Sequence, residues 1–247
     1  MSSIAADAWL GGAGRIMNPC EVWTLGCVPY EEAWTLQRTL AQPDAPDRLL
    51  LLSHPHTYTL GSAADERNLI WDADERVRRG VAVHRIDRGG DVTYHGPGQL
   101  VAYPILHLRR LADALTPPGQ EPARLGAVDY LRRLEQVIQR ALADYGVPGS
   151  VFPGLTGVWV ETPRGAEKIA AIGVKITVKA ITQHGFAINL NTDLDYFNGI
   201  IPCGIRDKGV TSLARLLGQP VDEAAFAEAL VTHFGATFGF EMITAHR

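Results

Sequence analysis

Cys203 stands between Pro202 and Gly204 in the run Ile200-Ile201-Pro202-Cys203-Gly204-Ile205. A proline fixes the entry to such a turn and a glycine lets the backbone leave it sharply, which presents a sulfur at a site edge with N–H groups beside it. A free cysteine is more often a small buried hydrophobe, and the flanks alone fit either reading. A thiol near its free pKa of roughly 8.5 is only a few per cent thiolate at neutral pH, so a nucleophile needs a cation or a base nearby. Lys168 heads the small-residue run Ile169-Ala170-Ala171-Ile172-Gly173, a place that fits either a partly desolvated amine or the commoner exposed surface lysine. His95 and His184 are rival partners of the Cys–His kind.

The second chemical signal is the stretch Arg88-Gly89-Gly90-Asp91-Val92-Thr93-Tyr94-His95-Gly96-Pro97-Gly98-Gln99, with four glycines and one proline. Glycine lets backbone N–H groups approach a bound group closely, and Arg88, Thr93, Tyr94, His95 and Gln99 supply polar handles. Apolar runs at 81–83 and 100–106 flank it, so it reads as one loop held between two strands. Composition alone also fits a bare glycine-rich hairpin. His54 and His56 flank Pro55 at a strand end; with no third ligand near in sequence, they read as a polar turn rather than a metal site.

The elements that must position these groups follow from periodicity. Residues 21–26, 48–53, 158–160, 168–178 and 181–190 read as strands, with 161–165 a hairpin turn. Ala33, Leu36 and Leu40 set a helix after Pro29. Val128, Leu131, Leu134, Val137, Ile138, Ala141 and Leu142 give the longest helix an apolar stripe over 127–145, stopped by Gly146. Residues 65–80 carry a charged, solvated helix or turn, and 109–122 read as a connection broken by Thr116-Pro117-Pro118-Gly119. Residues 212–217 and 222–234 read as helices, the second capped by Asp222. The small residues Ala170, Ala171, Gly173 and Gly185 leave room on a strand face for a long apolar chain, or serve close strand packing.

The chain has 247 residues, 46% hydrophobic, with a formal net charge of −4. One domain of this size buries roughly three quarters of its unfolded surface. The reading is one α/β domain over 21–247 after a glycine-rich, poorly ordered lead-in over 1–20. The acidic balance argues against a general nucleic-acid binder. No apolar run approaches the ~20 residues of a membrane helix, and the N-terminus has no secretory pattern. Cys20, Cys27 and Cys203 are too few and too far apart for a disulfide framework or a zinc site, which favours a reducing, cytoplasmic setting.

Arg-Gly-Gly-x-x-Thr-Tyr-His-x-x-Gly-Gln, from Arg88 to Gln99 with the apolar Leu100 after it, resembles the signature of the octanoyltransferases of lipoate biosynthesis at nine specified positions. His54-Pro55-x-x-Tyr58-Thr59-Leu60-Gly61, the run from Lys168 to Gly173, His184-Gly185-Phe186-Ala187, and Ile200 to Ile205 with Val210-Thr211-Ser212-Leu213 are similar to further runs of that family. The resemblance covers roughly residues 22–217. It implies an α/β fold of the α+β type: a mixed, mostly antiparallel sheet packed with helices, resembling the biotin and lipoate protein ligases. It implies that Cys203 carries the acyl thioester and that Lys168 is the catalytic lysine. It assigns substrate binding to Arg88, Gly89, Gly90, Asp91, Val92, Thr93, Tyr94 and His95, and to Ala171, Ile172, Gly173, Gly185, Phe186 and Ala187 as walls of the acyl chain.

The implied reaction moves octanoyl, or lipoyl, from acyl carrier protein to the lysine ε-amine of lipoyl domains. The implied acceptors are the 2-oxoacid dehydrogenase E2 subunits and the glycine cleavage H protein. Because a thioester is already activated, the resemblance implies no cofactor, no metal and no ATP. An ATP-dependent ligase on the same fold would not need Cys203, and a catalytically dead relative that only binds acylated carriers would need neither Cys203 nor Lys168. Arg164, Lys175, Lys179, Arg206 and Lys208 lie near these runs in sequence and form a candidate basic docking surface for an acidic carrier.

Overall fold

The computed structural model describes residues 18–116, 119–121, 125–201 and 208–245. Pro202, Cys203, Gly204 and Arg206 lie outside these. The larger of two sheets is built from β1 (Asn18–Cys27), β2 (Asp47–Ser53), β6 (Gln99–Ile105), β10 (Thr182–Asn189), β9 (Gly165–Ile176), β8 (Leu155–Thr162) and β7 (Ser150–Phe152), hydrogen-bonded in that spatial order. β12 (Phe240–Thr244) adds outside β1, and β11 (Gly209–Val210) pairs with β9. The pairs β12–β1, β1–β2 and β11–β9 are parallel and the others antiparallel. The sheet is therefore mixed and mostly antiparallel, as expected. β1 begins at Asn18, so the end of the expected lead-in is strand.

Side-chain alternation divides the sheet into two faces. Leu49, Leu51, Leu100, Ala102, Phe186 and Ile188 pack against α3 (Leu108–Leu115), α4 (Ala127–Ala143) and α6 (Glu223–Phe238). Leu50, Leu52, Val101, Tyr103 and Ala187 face the other way, with Ala33 of α1 (Tyr30–Leu40) among them. A strand buried on both faces reads as a continuous apolar run, which is why β2 shows four consecutive leucines.

The smaller sheet has β3 (Thr57–Leu60) between β4 (Ala82–Arg85) and β5 (Val92–His95). It corrects the reading of residues 88–99 as a single loop. Val92 and Tyr94 are fully buried with Tyr58 and Leu60, and that alternation makes a strand in the middle of the glycine-rich stretch. The flanking strands β4 and β6 belong to different sheets, so the stretch carries the chain from one sheet to the other.

The expected connection over 109–122 is also corrected. Leu108, Leu111 and Ala112 recur at helical spacing and are buried, forming α3. In α4 Leu134, Val137, Ile138, Ala141 and Leu142 of the stripe are buried, Leu131 is half-buried, and Val128 is exposed with Tyr130 buried in its stead. Gly146 takes φ +72°, the left-handed conformation that ends a helix without a Cβ penalty. The charged segment holds α2 (Ala73–Arg78), none of whose residues is buried. Near the C-terminus, Ser212 caps α5 (Leu213–Leu217), and Asp222 caps α6 by accepting from the N–H groups of Ala224 and Ala225. No described helix is long and apolar enough to cross a membrane.

Candidate active site

A cleft lies between the two sheets and the first residue of α1. The large sheet gives it Ala171, Ile172 and Gly173 from β9, Gly185, Phe186 and Ala187 from β10, and Tyr103 from β6. The small sheet and its lead-in give Arg88, Gly89, Gly90, Asp91, Thr93 and His95, and Tyr30 and His184 complete the lining. Twelve of the fourteen residues that the resemblance assigned to substrate binding thus line one cleft. Val92 and Tyr94 do not; the strand period turns them into the core behind the small sheet.

Lys168 is turned to the side on which this cleft lies, into a smaller adjoining pocket, by an irregularity in β9. Val158 pairs with Ala170 and Trp159 with Lys168, leaving Ile169 as an extra residue. Ile169 and Ala170 both pack into the helix-covered core. Such a bulge shifts the alternation by one, so Lys168 falls on the same face as Ala171. Gly157 permits it: φ there is +117°, and a Cβ would lie 2.5 Å from the Ala170 carbonyl oxygen. Lys168 is 7% exposed, and its Nζ sits 4.6 Å from the centre of the Trp159 ring, whose face attracts a cation. Lys168, Gln99, Asn189, Phe197 and Val210 line a smaller pocket that shares Thr93, Ala171 and Ala187 with the main cleft.

A chain of hydrogen bonds holds the polar floor. Arg88 Nη2 donates to the Thr59 carbonyl at 2.7 Å and to Thr59 Oγ1 at 2.9 Å, which holds the buried guanidinium against the small sheet. Gln99 Nε2 donates to the Tyr94 carbonyl and to Asn189 Oδ1, so its Oε1 accepts from His95 Nδ1 at 2.8 Å. Burial holds His95 neutral, well below the usual imidazole range, which leaves a lone pair on Nε2. Asn189 Nδ2 donates to the Thr211 carbonyl, and the Thr211 N–H donates to the carbonyl of Lys168 at 3.0 Å.

The far end of the cleft carries imidazoles and phenols. His54 Nδ1 donates to the Val28 carbonyl at 2.7 Å while Nε2 accepts from the Tyr103 hydroxyl at 2.8 Å; burial lowers its pKa to about 4. His184 has φ +57°, rare for a residue with a side chain, and is nearly fully buried. Its N–H donates to Gln37 Oε1 at 2.6 Å and its Nε2 to Asp87 Oδ1 at 2.9 Å. Burial lowers the His184 pKa, offset in part by Asp87. The Tyr30 ring stacks on His84 and His95.

Sequence reasoning missed Tyr30, Tyr103 and Asp87 as cleft or supporting residues; each comes from a separate element, and no local pattern marks them. His54 and His56, paired in sequence, part in space. His56 stacks on Tyr196 at 3.9 Å and bonds the Tyr94 hydroxyl. Among the described residues no group of three or more His, Cys, Asp or Glu is placed to hold a metal. Of the basic residues, Arg164 pairs with Glu167 at 3.0 Å and Lys175 pairs with Asp87, while Lys179 is exposed beside the fully exposed Val178. Lys208 Nζ lies 5.8 Å from the centre of the Phe152 ring. Two of the small residues serve packing: a Cβ on Gly185 would lie 2.1 Å from the Ala102 carbonyl oxygen, and Ala170 is buried on the helix-covered face.

The model of the lipoyl protein ligase A/B catalytic domain matches residues 29–235. Curated relatives named octanoyltransferase include those of Chloroflexus aurantiacus, 45% identical over 91% of this chain and 96% of the relative, and of Rubrobacter xylanophilus, 46% identical over 87% and 91%. Among solved structures, a bipartite lipoate protein ligase from Thermoplasma acidophilum superimposes with TM-score 0.69 at 16% identity, covering 94% of this chain and 88% of that one. A lipoate-protein ligase A bound with ATP gives TM-score 0.69 at 14% identity, covering 93% and 89%. At such identities these two likenesses concern the fold.

Proposed function

We propose, for a chain that belongs to the lipoyl protein ligase A/B catalytic domain family and within it to the octanoyltransferases, that octanoyl is carried from acyl carrier protein to a lipoyl-domain lysine on Cys203. The observation that carries this reading is the β9 bulge, which turns Lys168 onto the cleft face. β11, the strand that follows the Cys203 run in sequence, pairs with Glu167 and Lys168 themselves.

The steps balance around one proton. The Cys203 thiolate attacks the thioester carbonyl of the donor, and the Lys168 ammonium protonates the departing carrier thiolate. The acceptor lysine's neutral ε-amine then attacks the enzyme thioester. As the amide forms, its surplus proton passes to the Lys168 amine and the Cys203 thiolate is released. The octanoyl chain lies along Ala171, Gly173, Gly185 and Ala187, roofed by the 88–91 loop. An extended eight-carbon chain spans about three strand residues, ~10 Å, comparable with the run from Ala171 to Val174. The acceptors are lipoyl domains, those of 2-oxoacid dehydrogenase E2 subunits and the glycine cleavage H protein.

The test is transfer from octanoyl-acyl carrier protein to a lipoyl domain in the absence of ATP and magnesium. Amide formation under those conditions is expected. Strict dependence on ATP and magnesium would replace the reading with that of a ligase.

A further inference from the structure

Residues 61–71 touch both the cleft wall and the chain that leads to Cys203. At the near end, the N–H groups of Gly61, Ser62 and Ala63 donate to the carbonyls of Asp91, Arg88 and Gly90 at 3.3, 2.9 and 3.1 Å. At the far end, Ile70 N–H donates to the Gly199 carbonyl at 2.8 Å, Leu69 bridges to Ile200, and Ile201 N–H donates to the Asn68 carbonyl at 2.8 Å. Ile201 is buried and precedes Cys203 by two residues. The Asp91 carboxylate ties the two ends together. Its Oδ1 accepts from the N–H groups of Asp65 and Val92 at 3.2 and 2.7 Å, and its Oδ2 accepts from Asn68 Nδ2 at 2.5 Å. Asp91 is itself part of the cleft lining. Asn68 therefore holds the cleft wall with its side chain and the approach to Cys203 with its main chain.

We propose that Asn68 is a positioning residue for acyl transfer. Its bond to the Asp91 carboxylate sets the register between the wall of the acyl cleft and the segment that delivers the nucleophile. A hydrogen bond to an ionised acceptor is short and directional, suited to fixing such a register. A misplacement of about 1 Å at a reacting pair costs on the order of a hundredfold in rate. The proposal rests on Cys203 as nucleophile.

The experiment follows octanoylation of Cys203 by intact mass in single turnovers with octanoyl-acyl carrier protein. It compares wild type, Asn68→Leu, Asn68→Asp and the exchange pair Asn68→Asp with Asp91→Asn. Asn68→Asp alone sets carboxylate against carboxylate. In the exchange pair one donor and one acceptor face each other again, with the roles reversed. At saturating donor, Asn68→Leu and Asn68→Asp should each acylate about tenfold more slowly than wild type, the loss of one charged hydrogen bond. The donor concentration at half-saturation should stay within about twofold, because positioning acts on the chemical step. The exchange pair should regain most of the rate lost in Asn68→Asp. Wild-type rates in Asn68→Leu, or an exchange pair no faster than Asn68→Asp, would overturn the proposal. A wild-type enzyme that transfers octanoyl without any Cys203 adduct would instead overturn the nucleophile assignment on which it rests.

Discussion

Lys168 and Trp159 are cross-strand partners on β9 and β8, with the lysine Nζ 4.6 Å from the centre of a fully buried indole. The ring is rigid and cannot move aside, so it sets where the amine points, and its face attracts the charged form. A partly desolvated cation–π contact is worth about 1–2 kcal/mol. Trp159→Leu should therefore lower kcat by roughly tenfold with little change in KM for the acyl donor, while Trp159→Phe, which keeps a ring face, should lose less. Steady-state kinetics of both variants checks this, with thermal melts to separate lost activity from lost fold.

Two glycines on facing strands should fail differently. A Cβ on Gly185 would press on the Ala102 carbonyl oxygen at 2.1 Å, in the ladder between β10 and β6. Gly185→Ala should destabilise the fold by about 1–3 kcal/mol or more. A Cβ on Gly173 would lie 3.0 Å from Arg88 Cδ and 3.1 Å from the Gly89 carbonyl oxygen, both at the cleft. Gly173→Ala should keep most of the stability but raise KM for octanoyl donors severalfold. Urea denaturation beside donor titrations distinguishes the two.

Acid should weaken the fold through its buried imidazoles. His54 is neutral in the folded protein, its pKa lowered from 6.5 to about 4 by burial. Between those values the unfolded chain binds the extra proton and the folded chain does not, so stability rises with pH across that window. The contribution is complete above pH 6.5 and is lost as pH falls toward about 4, up to roughly 3 kcal/mol in all. His95 and His184, also lowered by burial, act in the same direction. Urea midpoints at pH 7 and pH 4.5 should differ less in His54→Gln than in wild type; an unchanged difference would remove His54 from this account.

The sequence made much of the fold and cleft legible because its signals are local. The strand at 181–190, the leucine run of β2 and the Asp222 cap each follow from neighbours in the chain. Other features depend on distant partners. The parity shift at Ile169 exists because Gly157 lets the backbone of β8 approach Ala170, and nothing near Lys168 announces it. Tyr30 opens α1, the helix that the sequence places after Pro29, and nothing local shows that its ring meets His54, His84 and His95 from three separate segments. β12 has no local signal, because five residues after a helix carry no period of their own; they become strand by pairing with β1, more than two hundred residues earlier. The glycine-rich stretch reads as one loop because the glycines mask the Val92 and Tyr94 alternation between them.

The division of labour between Cys203 and Lys168 is the centre of the account. Its most direct measurement is the intact mass of the protein after incubation with octanoyl-acyl carrier protein and no acceptor, in wild type, Cys203→Ser and Lys168→Ala. Wild type should gain one octanoyl group, located on Cys203 and cleaved by hydroxylamine, without ATP. Cys203→Ser should gain none, because a hydroxyl is far harder to ionise than a thiol. Lys168→Ala should gain it at least a hundredfold more slowly at neutral pH, since both thiolate stabilisation and the proton relay are lost. Octanoyl transfer to lipoyl domains by Cys203→Ser at the wild-type rate, or adduct formation in Lys168→Ala as fast as in wild type, would contradict it.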